Sequence, residues 1–213
     1  ITYLKNLEII FTKNNSKAVL NEDKVITADN FKYLKNENII NSNGSVKFED
    51  KIQNYILYSE DVTYYKNEEK IITKDKTNAI VQSKYSINSS DILFLINDGI
   101  ISSNHKTILK DNNSNIYKLD SFAYLLNTEQ LKGNNIIAIS NFGLPKSDKL
   151  YFKSAIINLK DYNFIAKDTK IEIHNDVFGD PNNNPRIKGV SSSKNGNVTS
   201  IKKGIFTSCK ENE

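Results

Sequence analysis

A chain of 213 residues with 38% hydrophobic residues and a formal net charge of +4 fits one large or two small domains with a modest core. No run approaches the roughly eighteen consecutive apolar residues of a membrane-crossing helix, and Ile1-Thr2-Tyr3-Leu4-Lys5 lacks the basic start and cleavage site of a signal peptide, so any such leader is expected to be already removed. The 29 basic and 25 acidic side chains are scattered, which argues against nucleic acid, and the single cysteine, Cys209, excludes an internal disulfide framework and zinc sites of the paired-cysteine kind.

Apolar and polar residues alternate over short stretches separated by Asn, Asp, Gly and Lys, the pattern of half-buried strands. The first stretches, Ile1-Thr2-Tyr3-Leu4 and Glu8-Ile9-Ile10-Phe11, carry little of the charge or proline that blunts a sheet edge, which predicts an exposed edge strand holding Tyr3, Ile9 and Ile10. Phe31-Lys32-Tyr33 follows, then Ser45-Val46-Lys47-Phe48-Glu49, where period two puts Val46 and Phe48 on one face. Ile92-Leu93-Phe94-Leu95-Ile96 is apolar on both faces, as suits a fully buried strand or one facing a partner. Further along come Phe122 with Tyr124, Ile137 with Ile139, and Ala155 with Ile157. Lys170-Ile171-Glu172-Ile173-His174 aligns Ile171 and Ile173. Two stretches break the alternation and predict loops: Asn141 to Lys149, with Gly143 and Pro145, and Gly179 to Gly189, with Pro181, three asparagines and Pro185.

The strands recur. Apolar pairs stand at Ile1/Tyr3, Phe31/Tyr33, Val62/Tyr64, Ile92/Phe94, Phe122/Tyr124 and Ala155/Ile157, their first members spaced by 30, 31, 30, 30 and 33 residues. A polar turn follows each pair, then a second apolar doublet such as Ile39-Ile40 or Ile71-Ile72. A strand–turn–strand module of this period signals an all-β stacked array in which each unit buries its apolar face on its neighbours. With only 8 Gly and 3 Pro, Asn is expected to take the left-handed turn positions. The inner face then comprises Phe31, Tyr33, Val46, Phe48, Val62, Tyr64, Phe94, Phe122, Tyr124, Ile137, Ile139, Ile157, Ile171 and Ile173. Alternation locates that face without saying which part of it stays open. An open groove of Ile, Phe and Tyr would hold alkyl chains at on the order of 0.8 kcal/mol per buried methylene.

Chemistry-bearing clusters are few. Strand spacing puts Glu172, His174 and Asp176 on one face, but Ile171 and Ile173 occupy the other and no further His or Cys is near, so a solvent face is expected and no metal site. His105 falls in an exposed turn. Nucleophile elbows, Walker loops and dinucleotide fingerprints are missing from the sequence, and the reading is of a protein without catalysis or cofactor. A β-solenoid carbohydrate-active enzyme would need carboxylates on neighbouring rungs, whereas acids here fall mainly in turns; a surface adhesin module would share the Asn-rich repeats.

The module with an acid or hydroxyl before the apolar pair, as in Ala28-Asp29-Asn30-Phe31-Lys32-Tyr33, Ser59-Glu60-Asp61-Val62-Thr63-Tyr64 and Ser89-Ser90-Asp91-Ile92, resembles the OstA-type repeat of lipopolysaccharide-transport proteins. The stretch Asn184-Pro185-Arg186-Ile187-Lys188-Gly189-Val190-Ser191, followed by Gly204-Ile205-Phe206-Thr207-Ser208-Cys209-Lys210, is similar to the junction at which the periplasmic domain of the LptD-type outer-membrane family meets its barrel. The resemblance implies a twisted β-jellyroll over residues 1–203, a junction over 204–213, and a transmembrane β-barrel beyond it. It implies lipopolysaccharide as cargo on the periplasmic face of the outer membrane. The cargo would arrive from a soluble LptA-like bridge protein added to the N-terminal strand and pass to the barrel with its LptE-like plug lipoprotein. Cys209 would form a disulfide to the barrel; an N-terminal cysteine of some members has no counterpart here. A soluble bridge protein of the same pathway is the alternative within this class.

Overall fold

A computed structural model of the protein describes residues 1–180 and 182–209; Pro181 and the part of the expected junction beyond Cys209 lie outside the described residues. Alternation, β-branched residues and turn-forming Asn and Asp give an all-β chain of jellyroll-like character, with short 3-10 turns at Lys5–Leu7, Lys66–Glu68 and Asn175–Phe178. It divides into two compact units, Ile1–His105 and Lys106–Glu213, where the sequence reading had one domain over residues 1–203. The first holds β1 (Thr2–Leu4), β2 (Ile9–Val19), β3 (Lys24–Leu34), β4 (Ile39–Asp50), β5 (Tyr55–Tyr65), β6 (Lys70–Val81), β7 (Tyr85–Ser90), β8 (Leu93–Leu95) and β9 (Ile100–Ser103). The second holds β10 (Thr107–Asp111), β11 (Ile116–Leu119), β12 (Ser121–Leu125), β13 (Gln130–Ile139), β14 (Lys149–Asn158), β15 (Phe164–Glu172), β16 (Arg186–Asn195), β17 (Val198–Lys202) and β18 (Ile205–Thr207).

The thirty-residue period is carried by the backbone. Left-handed residues close the turn after each apolar pair at Glu8, Asn38, Glu69, Gly99, Glu129 and Tyr162, spaced by 30, 31, 30, 30 and 33 residues. Asn fills this position once, while Glu fills it three times, so the expectation for Asn holds only in part. In the first unit the turns stack. The N–H groups of Lys35, Lys66 and Ile96 donate to the carbonyls of Glu8, Asn38 and Glu69, one repeat earlier. Leu159 N–H does the same to Glu129 in the second unit.

A second set of left-handed residues sits inside the strands. Asn14-Asn15, Gly44-Ser45 and Asp75 have positive φ where the β2–β3, β4–β5 and β5–β6 registers shift, which makes a line of bulges across the first unit. Bulges bend strands and sharpen their twist. The bend is large: β5 has eleven residues, and its ends would stand about 33 Å apart if straight at roughly 3.3 Å per residue. Instead Tyr55 and Tyr64, at opposite ends of β5, both pack on Phe48, with ring centroids 6.0 and 5.5 Å away. Each long strand therefore contributes one half to each of two facing half-sheets. In the second unit the corresponding line passes through Asn135, Lys153, Asp168 and Val190, which the β13–β14–β15–β16 ladders skip. Left-handed Lys203 extends it between β17 and β18, which pair with the two halves of β16.

Where the half-sheets of the first unit meet, aromatic packing fills the space. Phe48, Tyr55, Tyr64 and Phe94 are almost fully buried, and Tyr55 meets Phe94 edge-on at 4.6 Å. The mouth is latched: Lys24 Nζ donates to Glu69 Oε2 at 2.5 Å, and Tyr64 OH donates to Glu69 Oε1 at 2.7 Å. Burial alone would raise the Glu69 carboxyl, but Lys24 and Tyr64 outweigh it and hold the carboxyl below its ordinary range. A depressed carboxyl stabilises the fold above its unfolded value and loses that contribution as pH falls through its folded value. Glu69→Gln should thus cost roughly 1–3 kcal/mol at neutral pH. Urea denaturation at pH 7 and again below pH 4 should show the gap between variant and wild type closing on acidification. An unchanged gap would mean that the latch adds nothing through its charge.

Candidate functional site

The second unit keeps an open space between its half-sheets. A cavity of about 560 Å³ is lined on one side by Tyr117, Ala138, Leu150, Ile171, Ile173 and Ile187, and on the other by Ile157, Phe164, Lys194, Thr199 and Ile201. Its lining alternates along β15 and β16 because each inward residue lies two positions from the next, except at the bend. Gly189 makes room for one wall: a Cβ there would stand 2.3 Å from Ile201 Cγ2. The buried hydroxyls of Thr169 and Ser192 satisfy each other at 2.6 Å, which leaves the floor beside Ile171 and Ile201 without an unpaired polar atom at that point.

Polar groups gather at the rim. Tyr162, the left-handed residue of the β14–β15 turn, accepts from Asn113 Nδ2 at 2.5 Å and donates to Asp111 Oδ2 at 3.2 Å. This ties it to the β10–β11 turn. Burial raises the Tyr162 phenol, so it stays a neutral donor at physiological pH. Asp148 Oδ1 takes both the backbone N–H of His174 at 2.9 Å and the ring Nδ1 at 2.8 Å, which fixes the loop before β14 to the 3-10 turn after β15.

Ile139, Ile157, Ile171 and Ile173 of the expected inner face line this cavity. Val46, Phe48, Tyr64 and Phe94 are buried in the closed core of the first unit, and Phe122 and Tyr124 are buried in the second. Tyr33 is half-buried and donates to Asn38 Oδ1 at 3.1 Å. Phe31 and Val62 are buried too, and they line a recess of about 1050 Å³ in the first unit. Lys13, Lys32, Lys74, Asp61 and Asp91 share its walls with Leu4, Phe11 and Ile72, so more charged side chains line it than the cavity of the second unit, which has Asp148 and Lys194. Ile137 is a correction. The unpaired, left-handed Asn135 shifts the alternation by one residue, so Ile136 and Ala138 take the buried face while Ile137 is half-buried on the other.

Other expectations also change. Ile9 and Ile10 lie between β1 and β3, pairing with Leu4 and Tyr3 on one side and with Leu34 and Tyr33 on the other, so they are interior to the sheet; Tyr3, on β1, is at its margin and 45% exposed. Glu172, His174 and Asp176 do not share a strand face, because β15 ends at Glu172 and His174 opens the 3-10 turn. Among the described residues no group of three or more His, Cys, Asp or Glu could hold a metal. Arg186–Gly189, expected in a loop, belong to β16, and Ile205–Thr207 of the expected junction form β18 on its edge. His105 is exposed as expected, with Nε2 3.0 Å from Asp91. Sequence reasoning missed Phe164, Ile187, Ile201 and Lys194. Phe164-Ile165-Ala166 is apolar throughout and alternates only in burial, and Ser191-Ser192-Ser193-Lys194 shows no apolar period.

No protein-family model matches the chain, and no curated protein matches it.

Cys209 is exposed; its N–H donates to Thr207 Oγ1 and its carbonyl accepts from Arg186 at 2.8 Å. These contacts hold its backbone and leave the thiol open. A thiol reagent should label the folded protein at close to the rate seen in denaturant, and Cys209→Ser should abolish labelling. Strong protection in the folded state would contradict the accessible position.

Proposed function

We propose that this chain is a lipid-carrying periplasmic domain that guides the acyl chains of lipopolysaccharide toward an outer-membrane barrel, as the OstA-like repeat and LptD-like junction imply. The reading is carried by the cavity of the second unit, whose Ile, Leu and Phe walls stay apart where the first unit packs Phe48, Tyr55, Tyr64 and Phe94 into a solid core. Alkyl chains need no hydrogen bonds and gain on the order of 0.8 kcal/mol per buried methylene. A dozen methylenes would supply roughly 10 kcal/mol before the ordering costs of binding. The volume also lies within the range of small-molecule sites.

In this reading a soluble bridge protein delivers the lipid by strand addition. Thr2–Leu4 is the natural template because its residues are exposed and β1 lies at the margin of its sheet. The barrel and its plug lipoprotein would take over beyond Cys209, with the thiol as the candidate for a disulfide. The protein acts by binding and handover, not by catalysis.

Photo-crosslinking side chains placed at Ile173 and Ile187 should label bound lipopolysaccharide. Those at Ile165, 70% exposed, and at Phe94, sealed in the first core, should not. Labelling at Ile165 equal to that at Ile187, or none at the two cavity positions, would end the proposal.

A further inference from the structure

Among the described residues five lysines are half-buried: Lys24, Lys47, Lys70, Lys170 and Lys194. Four of them pair with a carboxylate, Lys24 with Glu69, Lys47 with Glu49, Lys70 with Glu68 and Lys170 with Glu172. Lys194 has no carboxylate partner among the described residues, and it is the one of the five that lines the apolar cavity. Taking an ammonium partly out of water without an acid beside it is costly, and in this chain the other half-buried lysines avoid that cost.

Its place in the strand explains the geometry. Inward positions along β16 after the bend are Ser192 and Lys194, with Ser192 buried and Lys194 next toward the turn at Gly196. Cross-strand neighbours of Lys194 are Phe164 on β15 and Thr199 on β17, both also in the lining. The methylene stem can lie along that wall while the ammonium reaches the rim, as long basic side chains do at apolar surfaces. Among the described residues the lining contains one carboxylate, Asp148, and His174 already engages it with two bonds. The rim thus offers an apolar chamber with an uncommitted positive charge at its edge.

We infer that Lys194 anchors the anionic headgroup of an amphiphile whose hydrocarbon occupies the cavity. This rests on the lipid-carrying reading and adds the chemistry of the headgroup: a phosphate or carboxylate directly next to the acyl chain, bound by charge-assisted hydrogen bonds. A neutral sugar headgroup on the same chain would occupy the cavity without that contact.

The test uses the whole chain and three twelve-carbon probes below their micelle concentrations: dodecyl phosphate, dodecanoate and dodecyl maltoside, each titrated by calorimetry. Dodecyl phosphate and dodecanoate should bind about tenfold tighter than dodecyl maltoside at low salt, and added salt should shrink the gap. The preference for one anion over the other would identify phosphate or carboxylate as the natural charge. Lys194→Gln should lower both anionic affinities to the maltoside level and leave maltoside binding unchanged; Lys194→Arg should restore the preference. Lys167→Gln, an exposed lysine on the adjoining strand, should have no effect. An anionic preference that survives Lys194→Gln, or its absence in the wild type, would overturn the role of Lys194 while leaving the cavity as a lipid site. Failure of all three probes to bind would overturn the lipid-carrying reading itself.

Discussion

The bend in the middle of each long strand governs this molecule. Left-handed residues at Asn14-Asn15, Gly44-Ser45 and Asp75 fall on one line across the first unit, and unpaired Asn135, Lys153, Asp168 and Val190 form the matching line in the second. A non-glycine residue in that conformation costs roughly 1–2 kcal/mol, so a series of them needs a compensating gain. That gain is enclosure. Without the bend a strand presents one face to water on each side; with it, the two halves of a strand bury their inner faces against each other within one unit.

Enclosure has two outcomes here. Where large aromatic rings meet, as at Phe48, Tyr55, Tyr64 and Phe94, the half-sheets fill the gap and a charged latch shuts it. Where the facing residues are Ile, Leu and Phe on β13 to β17, with Gly189 giving space to Ile201, the gap remains. Packed aromatic rings close the one space, and mainly aliphatic side chains line the other. The same backbone plan serves both.

Much of this was legible in the residues. The spacing of Phe31, Val62, Ile92 and Phe122 reproduces the spacing of the left-handed turn residues Asn38, Glu69, Gly99 and Glu129, because each apolar pair ends one strand and the turn follows at a fixed distance. Inward residues were found wherever the alternation ran unbroken, as at Val46 with Phe48 or Ile171. Ile137 is misplaced because Asn135 inserts a residue that no period reveals, and the insertion puts Ile136 and Ala138 on the inner face in its stead, although Ile139 still lines the cavity. Ile9 and Ile10 looked like an edge because the sequence does not show that Thr2–Leu4 folds back on them. Lys194 was invisible for a different reason. Its meaning depends on which other lysines have partners, a property of the fold rather than of any local pattern.

The stacked turns carry a mechanical consequence. Within the first unit, Lys35, Lys66 and Ile96 stitch successive turns along one lip by backbone bonds, while between the lips the Lys24–Glu69 pair, with Tyr64, is made of side chains. Deformation is then directional. Sliding one repeat past the next breaks backbone bonds, whereas parting the lips about the line of bulges breaks side-chain contacts and leaves every ladder intact. Such a unit behaves like a bound book, stiff along its spine and compliant across its pages, and its opening angle is set by the reach of a lysine and a glutamate.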